Sequence, residues 1–203
     1  MNEAGNSFYP RHLSPPDCLK TAVFHIEPLT PNHLEQDYEA VMSSRTMLNL
    51  WGGHGWTTPN FTREENLADL QQHHQEQLDR VAFTYTILST DQLTCLGCLY
   101  IVPVTKYLAA NPQLKTAVSP HKYPALFRFW VRQDQLPSQL DQQLLQTLHR
   151  WFKSEAWAFD QLLLHTPTHN AEQISTIQAA GFAHTGTITM PDRGQTHFIF
   201  PLL

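Results

Sequence analysis

The sequence predicts a single α/β (α+β) domain, a mixed central sheet of about seven strands carrying four helices. Three observations predict it. Strand-like and helix-like segments interleave in the order β-α-α-β-β-β-α-β-α-β-β, which lays helices over the faces of one sheet. The segment from Ser138 carries Leu140, Leu144, Leu148, Trp151 and Phe152 along one helical face. The 203 residues, 41% of them hydrophobic, supply one well-packed core and too little material for two.

Residues 1–20, polar and holding Pro10, Pro15 and Pro16, read as a flexible N-terminal arm ahead of one domain over 21–203. "TAVFHIEPL", Thr21–Leu29, is a first strand with Ala22, Phe24 and Ile26 on one face. Thr30 followed by Pro31 opens a helix, since a first-turn proline forfeits no helical bond, and Leu34, Tyr38, Val41, Met42 and Arg45 share its side. Beyond Leu50 the glycine-rich "WGGHGWTTPN" is a loop. "TREE", Thr62–Glu65, is a capping box at the head of a second helix, with Leu67, Leu70, His74 and Leu78 in a stripe. Val81–Leu88 and Thr94–Val102, separated by "STDQ", form a hairpin. The connection over 103–124 is long for a compact domain, and such loops are often functional. It leads into a strand at Phe127–Arg132 and the helix from Ser138. "FDQLLLHT" is then a short buried strand and "NAEQISTIQAAGF" a helix capped by Asn170 and stopped at Gly181. "HTGTITM" and "THFIFPL" close the chain as a hairpin across "PDRG".

Charge narrows the partners. With a net charge of -5 and 13 Lys plus Arg, the chain lacks the positive surface that nucleic acid requires, and a cationic amine is the more compatible ligand. No apolar run is long enough to span a bilayer and the N-terminus has no secretion-signal pattern, so a cytoplasmic protein without membrane contact is expected. Three cysteines cannot all pair within one chain, which fits a reducing compartment. In "CLGC" the two cysteines sit three apart, so a regular strand points Cys95 and Cys98 to opposite faces; only a bulge at Gly97 would bring them together. The expectation is one thiol on each face and no metal site. His165 and His169 have helical metal-ligand spacing, but Pro167 forbids a regular helix there, and His73-His74 lie on adjacent sides of a polar helix.

The element order, with "DYEAVMSSRTMLNLW", "FTREENLADLQQH", "LGCLYI" and "NAEQISTIQAAGF", resembles the GNAT superfamily of acyl-CoA-dependent N-acyltransferases over roughly residues 22–203. It is most similar to the branch that acetylates ribosomal-protein N-termini and related amines. The resemblance implies two central parallel strands that splay apart, with acetyl-CoA in the opening. It implies cofactor contacts from Val131, Arg132, Ser138, Gln139, Leu140, Asp141 and Asn170. The family's pyrophosphate turn, (Gln/Arg)-x-x-Gly-x-(Gly/Ala), falls on Leu136-Pro137-Ser138-Gln139-Leu140-Asp141, where none of its signature residues is present. Asn170 and Gly181-Phe182 do match the family.

Glycine lets a backbone approach an anion closely, and a helix N-terminus adds partial positive charge. Bulky Gln139 and Leu140 narrow that approach. Ser138 and Asp141 form a capping box on paper, and a carboxylate about 4 Å from a phosphate charge is repelled by about 4 kcal/mol at an effective dielectric near 20. Against this, backbone donors survive any side-chain change. Arg128 and Arg132 share the strand face of Trp130, and an arginine at the strand's end can pair a phosphate.

Acyl transfer to an amine needs an uncharged nucleophile and an acid for the leaving thiolate. The family's acid tyrosine falls on Ile177, and its strand glutamate is absent from "ALFRFWV". Tyr85, Tyr100, His54 and His165 are the substitutes the chain offers, and Trp51 and Trp56 can wall an amine pocket by cation–π contact or pack as core. The function expected is N-acetyl transfer from acetyl-CoA to a primary amine of a small molecule or peptide N-terminus. The alternative is a GNAT-fold binding or regulatory module that has lost acyl transfer. The oligomeric state stays open, a homodimer being one option.

Overall fold

A computed structural model describes residues 9–52, 58, 60–114, 124–190 and 194–202. Eight strands form one sheet: β1 (Leu19–Lys20), β2 (Phe24–Pro28), β3 (Phe83–Ser89), β4 (Cys95–Pro103), β5 (Pro124–Val131), β6 (Gln161–Pro167), β7 (Gly186–Thr189) and β8 (Thr196–Pro201). Their spatial order is β1-β2-β3-β4-β5-β6-β8-β7. Among the described residues only β5 and β6 pair in parallel. The described helices are α1 (Leu34–Ser43), α2 (Arg45–Gly52), α3 (Arg63–Asp79), α4 (Leu140–Phe152) and α5 (Ala171–Ala179). The mixed fold and the element order match the expectation, with one short edge strand and one helix more. The extra helix arises because the first one breaks at Ser44, whose buried hydroxyl accepts from the Gln133 amide at 3.0 Å.

Period-two alternation along the strands splits the core. Phe127, Phe129 and Val131 pack against Leu144, Leu148 and Phe152 of α4 and Ile177 of α5. On the other face, Cys95, Cys98 and Trp130 meet Val41 of α1 and Leu48 and Trp51 of α2. The α4 stripe behaves as its period predicts. The α3 stripe does not: its capping box forms, with the Glu65 amide donating to Thr62 Oγ1 at 3.2 Å, but Asn66 and Leu70 are the buried residues and Leu78 is 61% exposed. Its inner face is polar instead, Gln77 Oε1 accepting from the Thr84 amide of β3 at 3.1 Å before the helix ends at left-handed Arg80.

Two further expectations are corrected, and one residue of the expected arm is anchored. Residues 11–14, 17, 18 and 20 are exposed, but Tyr9 is fully buried against Phe83, Trp157 and Phe159, and its hydroxyl accepts from the Ala158 amide at 3.1 Å. One aromatic anchor outweighs the polar composition around it. Tyr85 Oη donates to the Pro16 carbonyl at 2.9 Å, and β1 pairs with β2. Next, the β3–β4 register steps from Ile87↔Gly97 to Leu88↔Cys95, so Leu96 is an extra residue and the strand bulges. Cys95 and Cys98 therefore face the same side, both fully buried. Gly97, at φ +151, permits this; a Cβ there would lie 2.1 Å from the Trp130 carbonyl oxygen. Lastly, Ser138 lies in a 3-10 turn over Gln133–Ser138, and α4 begins only at Leu140.

In the connection after β4, Asn111 is buried and binds β7 through Thr189, donating to its carbonyl at 2.8 Å and accepting from its amide at 2.6 Å. Residues 115–123 of that connection lie outside the described residues. No described helix is long and apolar enough to cross a membrane.

Candidate functional site

The parallel pair opens the sheet. β5 and β6 stay in register from Pro124↔Gln161 to Phe127↔Leu164, where their pairing ends. β5 continues beside β4 as far as Gly97↔Val131, while β6 follows β8 to Pro167↔His197. The wedge between them is bridged by one side chain. Gln173 of α5 donates through Nε2 to the Phe129 carbonyl at 2.9 Å and accepts from Thr166 Oγ1 at 2.6 Å. Sequence reasoning missed Gln173; its spacing of four from buried Ile177 was the available signal.

A groove of about 670 Å³ leads to this wedge, lined by Gln139, Asp141 and Gln142 of the α4 start, Asn170 and Thr176 of α5, and Leu50. A recess of about 40 Å³ at its inner end touches Val131, Phe129 and Gln173. The rim differs from the paper capping box. Ser138 Oγ donates to the Gln135 carbonyl at 2.7 Å, so it caps nothing in α4. Gln139 is the N-cap at φ 59, ψ 30, the left-handed conformation natural to glycine, and its side chain makes no cap bond. Leu140 turns into the core, 3% exposed. The Asp141 carboxylate accepts from Thr176 Oγ1 at 2.7 Å, across the groove. The first-turn amides of Leu140, Asp141 and Gln142 meet no acceptor among the described residues, as expected for uncapped helix starts.

The remaining expected contacts divide. Asn170 lines the groove and caps α5, its Oδ1 accepting from the Gln173 amide at 3.2 Å. Arg132 is turned away from the groove's work: its guanidinium donates to Glu39 and Asp134, each at 3.0 Å.

Behind the wedge, on the face of α1 to α3, lies a second cavity of about 130 Å³, touched by Tyr100, Arg128, His165, His197, Lys106 and Glu76. Arg128 and His165 are the residues next after the last parallel pair. His165 Nδ1 and His197 Nδ1 are 3.1 Å apart, and both residues are 1% exposed. Burial, then neighbouring His197 and Arg128, hold the His165 imidazole well below its ordinary pKa, so it is neutral at pH 7. Tyr100 accepts from Trp130 Nε1 at 3.3 Å, and burial holds its phenol well above the usual range, protonated.

Tyr85 belongs elsewhere, packed edge-on against Trp151 and Trp157 on the opposite sheet face. Trp51 is 2% exposed and its face is taken by the chain's own Arg128 guanidinium, 4.3 Å from the ring centre. His54 and Trp56 lie outside the described residues. Ile177 is fully buried. His169 Nε2 lies 2.9 Å from the Leu50 carbonyl, away from His165 Nδ1 and its histidine partner.

No family model matches the chain, and no curated relative matches it either. Solved structures do. A ribosomal-protein-S5-alanine acetyltransferase from Vibrio fischeri superposes with TM-score 0.66 at 11% identity, covering 91% of this chain and 94% of its own. RimJ of Mycobacterium smegmatis, in complex with CoA-disulfide, gives 0.69 at 12% identity over 92% and 87%. The microcin C7 self-immunity acetyltransferase MccE, in complex with acetyl-CoA and AMP, gives 0.67 at 10% identity over 92% and 96%. Likeness of this extent at such low identity establishes the fold, that of the GNAT acetyltransferases.

Proposed function

We propose that this chain is an acetyl-CoA-dependent N-acetyltransferase, a single cytoplasmic domain acting on a primary amine of a small molecule or a peptide N-terminus. The observation that carries the reading is the left-handed Gln139 with free first-turn amides behind it, at the mouth of a groove that ends where β5 and β6 part. The backbone keeps the glycine geometry although the glycine is gone. Neighbours of the same fold, solved with CoA-disulfide and with acetyl-CoA, support the choice of co-substrate.

In this reading Leu140, Asp141 and Gln142 offer backbone N–H donors to the diphosphate, with Asn170 on the facing wall. The thioester supplies an activated acetyl group and a good leaving thiolate. The acceptor amine attacks in its uncharged form, its proton already lost to solvent, and neutral His165, beside His197, is placed on the cavity to hold that nitrogen by a hydrogen bond. Tyr100, kept protonated by burial, is the available hydroxyl donor on the same cavity.

The second reading, a GNAT-fold module without acyl transfer, is favoured by Ile177 in the place of the acid tyrosine and by the Asp141 carboxylate at the rim. Thermal titration with acetyl-CoA separates the two. Saturation at about a hundred times Kd adds ~2.7 kcal/mol to stability. A shift together with acetyl transfer to a panel of amines and N-terminal peptides supports the enzyme; no shift at millimolar acetyl-CoA, or a shift without transfer to any of them, supports the module.

A further inference from the structure

The bulge that puts Cys95 and Cys98 on one face also brings them to a carboxylate from α1. Asp37 is 4% exposed, and one donor atom from each of Asp37, Cys95 and Cys98 lies within 4.8 Å of the other two. Cys98 Sγ is 3.4 Å from Asp37 Oδ1. Around a tetrahedral zinc ion, bonds of about 2.3 Å to sulfur and about 2.1 Å to oxygen set sulfur and oxygen ligands roughly 3.5 Å apart. The observed spacing is already that of a coordination edge.

Two further observations point to a ligand. Asp37 is oriented from behind: Asn66 Nδ2 donates to its other oxygen, Oδ2, at 3.0 Å, which leaves Oδ1 aimed at the sulfurs. Such outer partners fix the carboxylates of metal sites. Moreover, three groups able to carry negative charge are buried together, and no basic side chain among the described residues bonds any of them. Burying such a polar cluster costs free energy that a bound cation would offset. A core built for packing alone would place apolar side chains here, at no such cost.

We propose that Asp37, Cys95 and Cys98 bind one soft divalent cation of the zinc class, with the Thr86 hydroxyl, 3.6 Å from Cys95 Sγ, completing an oxygen-and-thiolate set. The ion ties α1 to the bulge in β4 and is buried among Val41, Leu48 and Trp51, so its role is structural. The proposal does not depend on acyl transfer.

The test uses full-length protein carrying Cys18→Ser, because Cys18 is an exposed thiol that would confuse the readout. Metal-free, reduced protein is titrated with cadmium while sulfur-to-cadmium charge-transfer absorption is followed. The expected result is saturation at one cadmium per chain, reversal by zinc, no band with Cys98→Ser, and affinity weakened tenfold or more with Asp37→Asn. Absence of the band in the parent protein, or its persistence in a folded Cys95→Ser, Cys98→Ser double variant, overturns the proposal. Should the cysteine variants not fold, Asp37→Asn decides, since it keeps the side-chain shape: unchanged cadmium affinity overturns the site as well.

Discussion

Gln139 holds a backbone conformation that costs an L side chain about 1 kcal/mol or more, and its side chain makes no cap bond to offset that. Gln139→Gly is therefore expected to raise stability by up to about 1 kcal/mol in urea unfolding, and to widen the groove mouth. Asp141 works differently from its sequence reading. It bonds Thr176 rather than the helix amides, so Asp141→Asn keeps the bond across the groove while removing the charge that faces an incoming phosphate. Acetyl-CoA affinity measured by calorimetry should rise with Asp141→Asn and be unchanged or weaker with Asp141→Ala, which loosens the groove wall. His165 gives a pH signature. Its folded pKa lies below the unfolded value of about 6.5, so below that pH the unfolded chain binds more protons, and stability falls as pH drops. Urea midpoints should decline from pH 7 to pH 5 in the parent and decline less in His165→Gln. The left-handed turn was not legible in the sequence, because residue identity argued for a side-chain cap and only coordinates reveal that the chain bends as glycine would. His165 was legible as a candidate, whereas its partner His197 came from a strand with no local signal.

Among the elements, α4 was the most readable, since Leu144, Leu148 and Phe152 face one dense core and tertiary packing agrees with the local period. α3 was less readable, because its apolar stripe is weak and polar side chains, Asn66 and Gln77 among them, make its contacts with α1 and β3. The β4 bulge was legible only as a condition, since a single glycine does not distinguish a bulge from a plain strand. Its coordinates make it testable. Gly97→Ala would drive a Cβ to 2.1 Å from the Trp130 carbonyl oxygen, backbone that cannot swing aside. A loss of about 3 kcal/mol or more is expected, seen as a lowered urea midpoint or lost soluble yield. A cost under about 1 kcal/mol would mean that the strand can pair without the bulge, returning the two thiols to opposite faces.

For the whole molecule, the fold class and the order of elements were written in the alternation of hydrophobic periods, because one sheet with helices on its faces is the arrangement that buries them all. What the sequence could not convey was the long-range closure. Tyr9 looked like part of a polar arm, yet it sits in an aromatic cluster with Phe83, Trp157 and Phe159 and binds the Ala158 amide. Tyr9→Ala is expected to cost about 3 kcal/mol in chemical unfolding, a core-sized loss from an apparent tail. This contact joins residues 149 positions apart. During translation Tyr9 must then wait, unpartnered, until most of the sheet has emerged, and a nascent chain stalled before Trp157 would present Tyr9 and Phe83 to holdase chaperones instead of to their final neighbours.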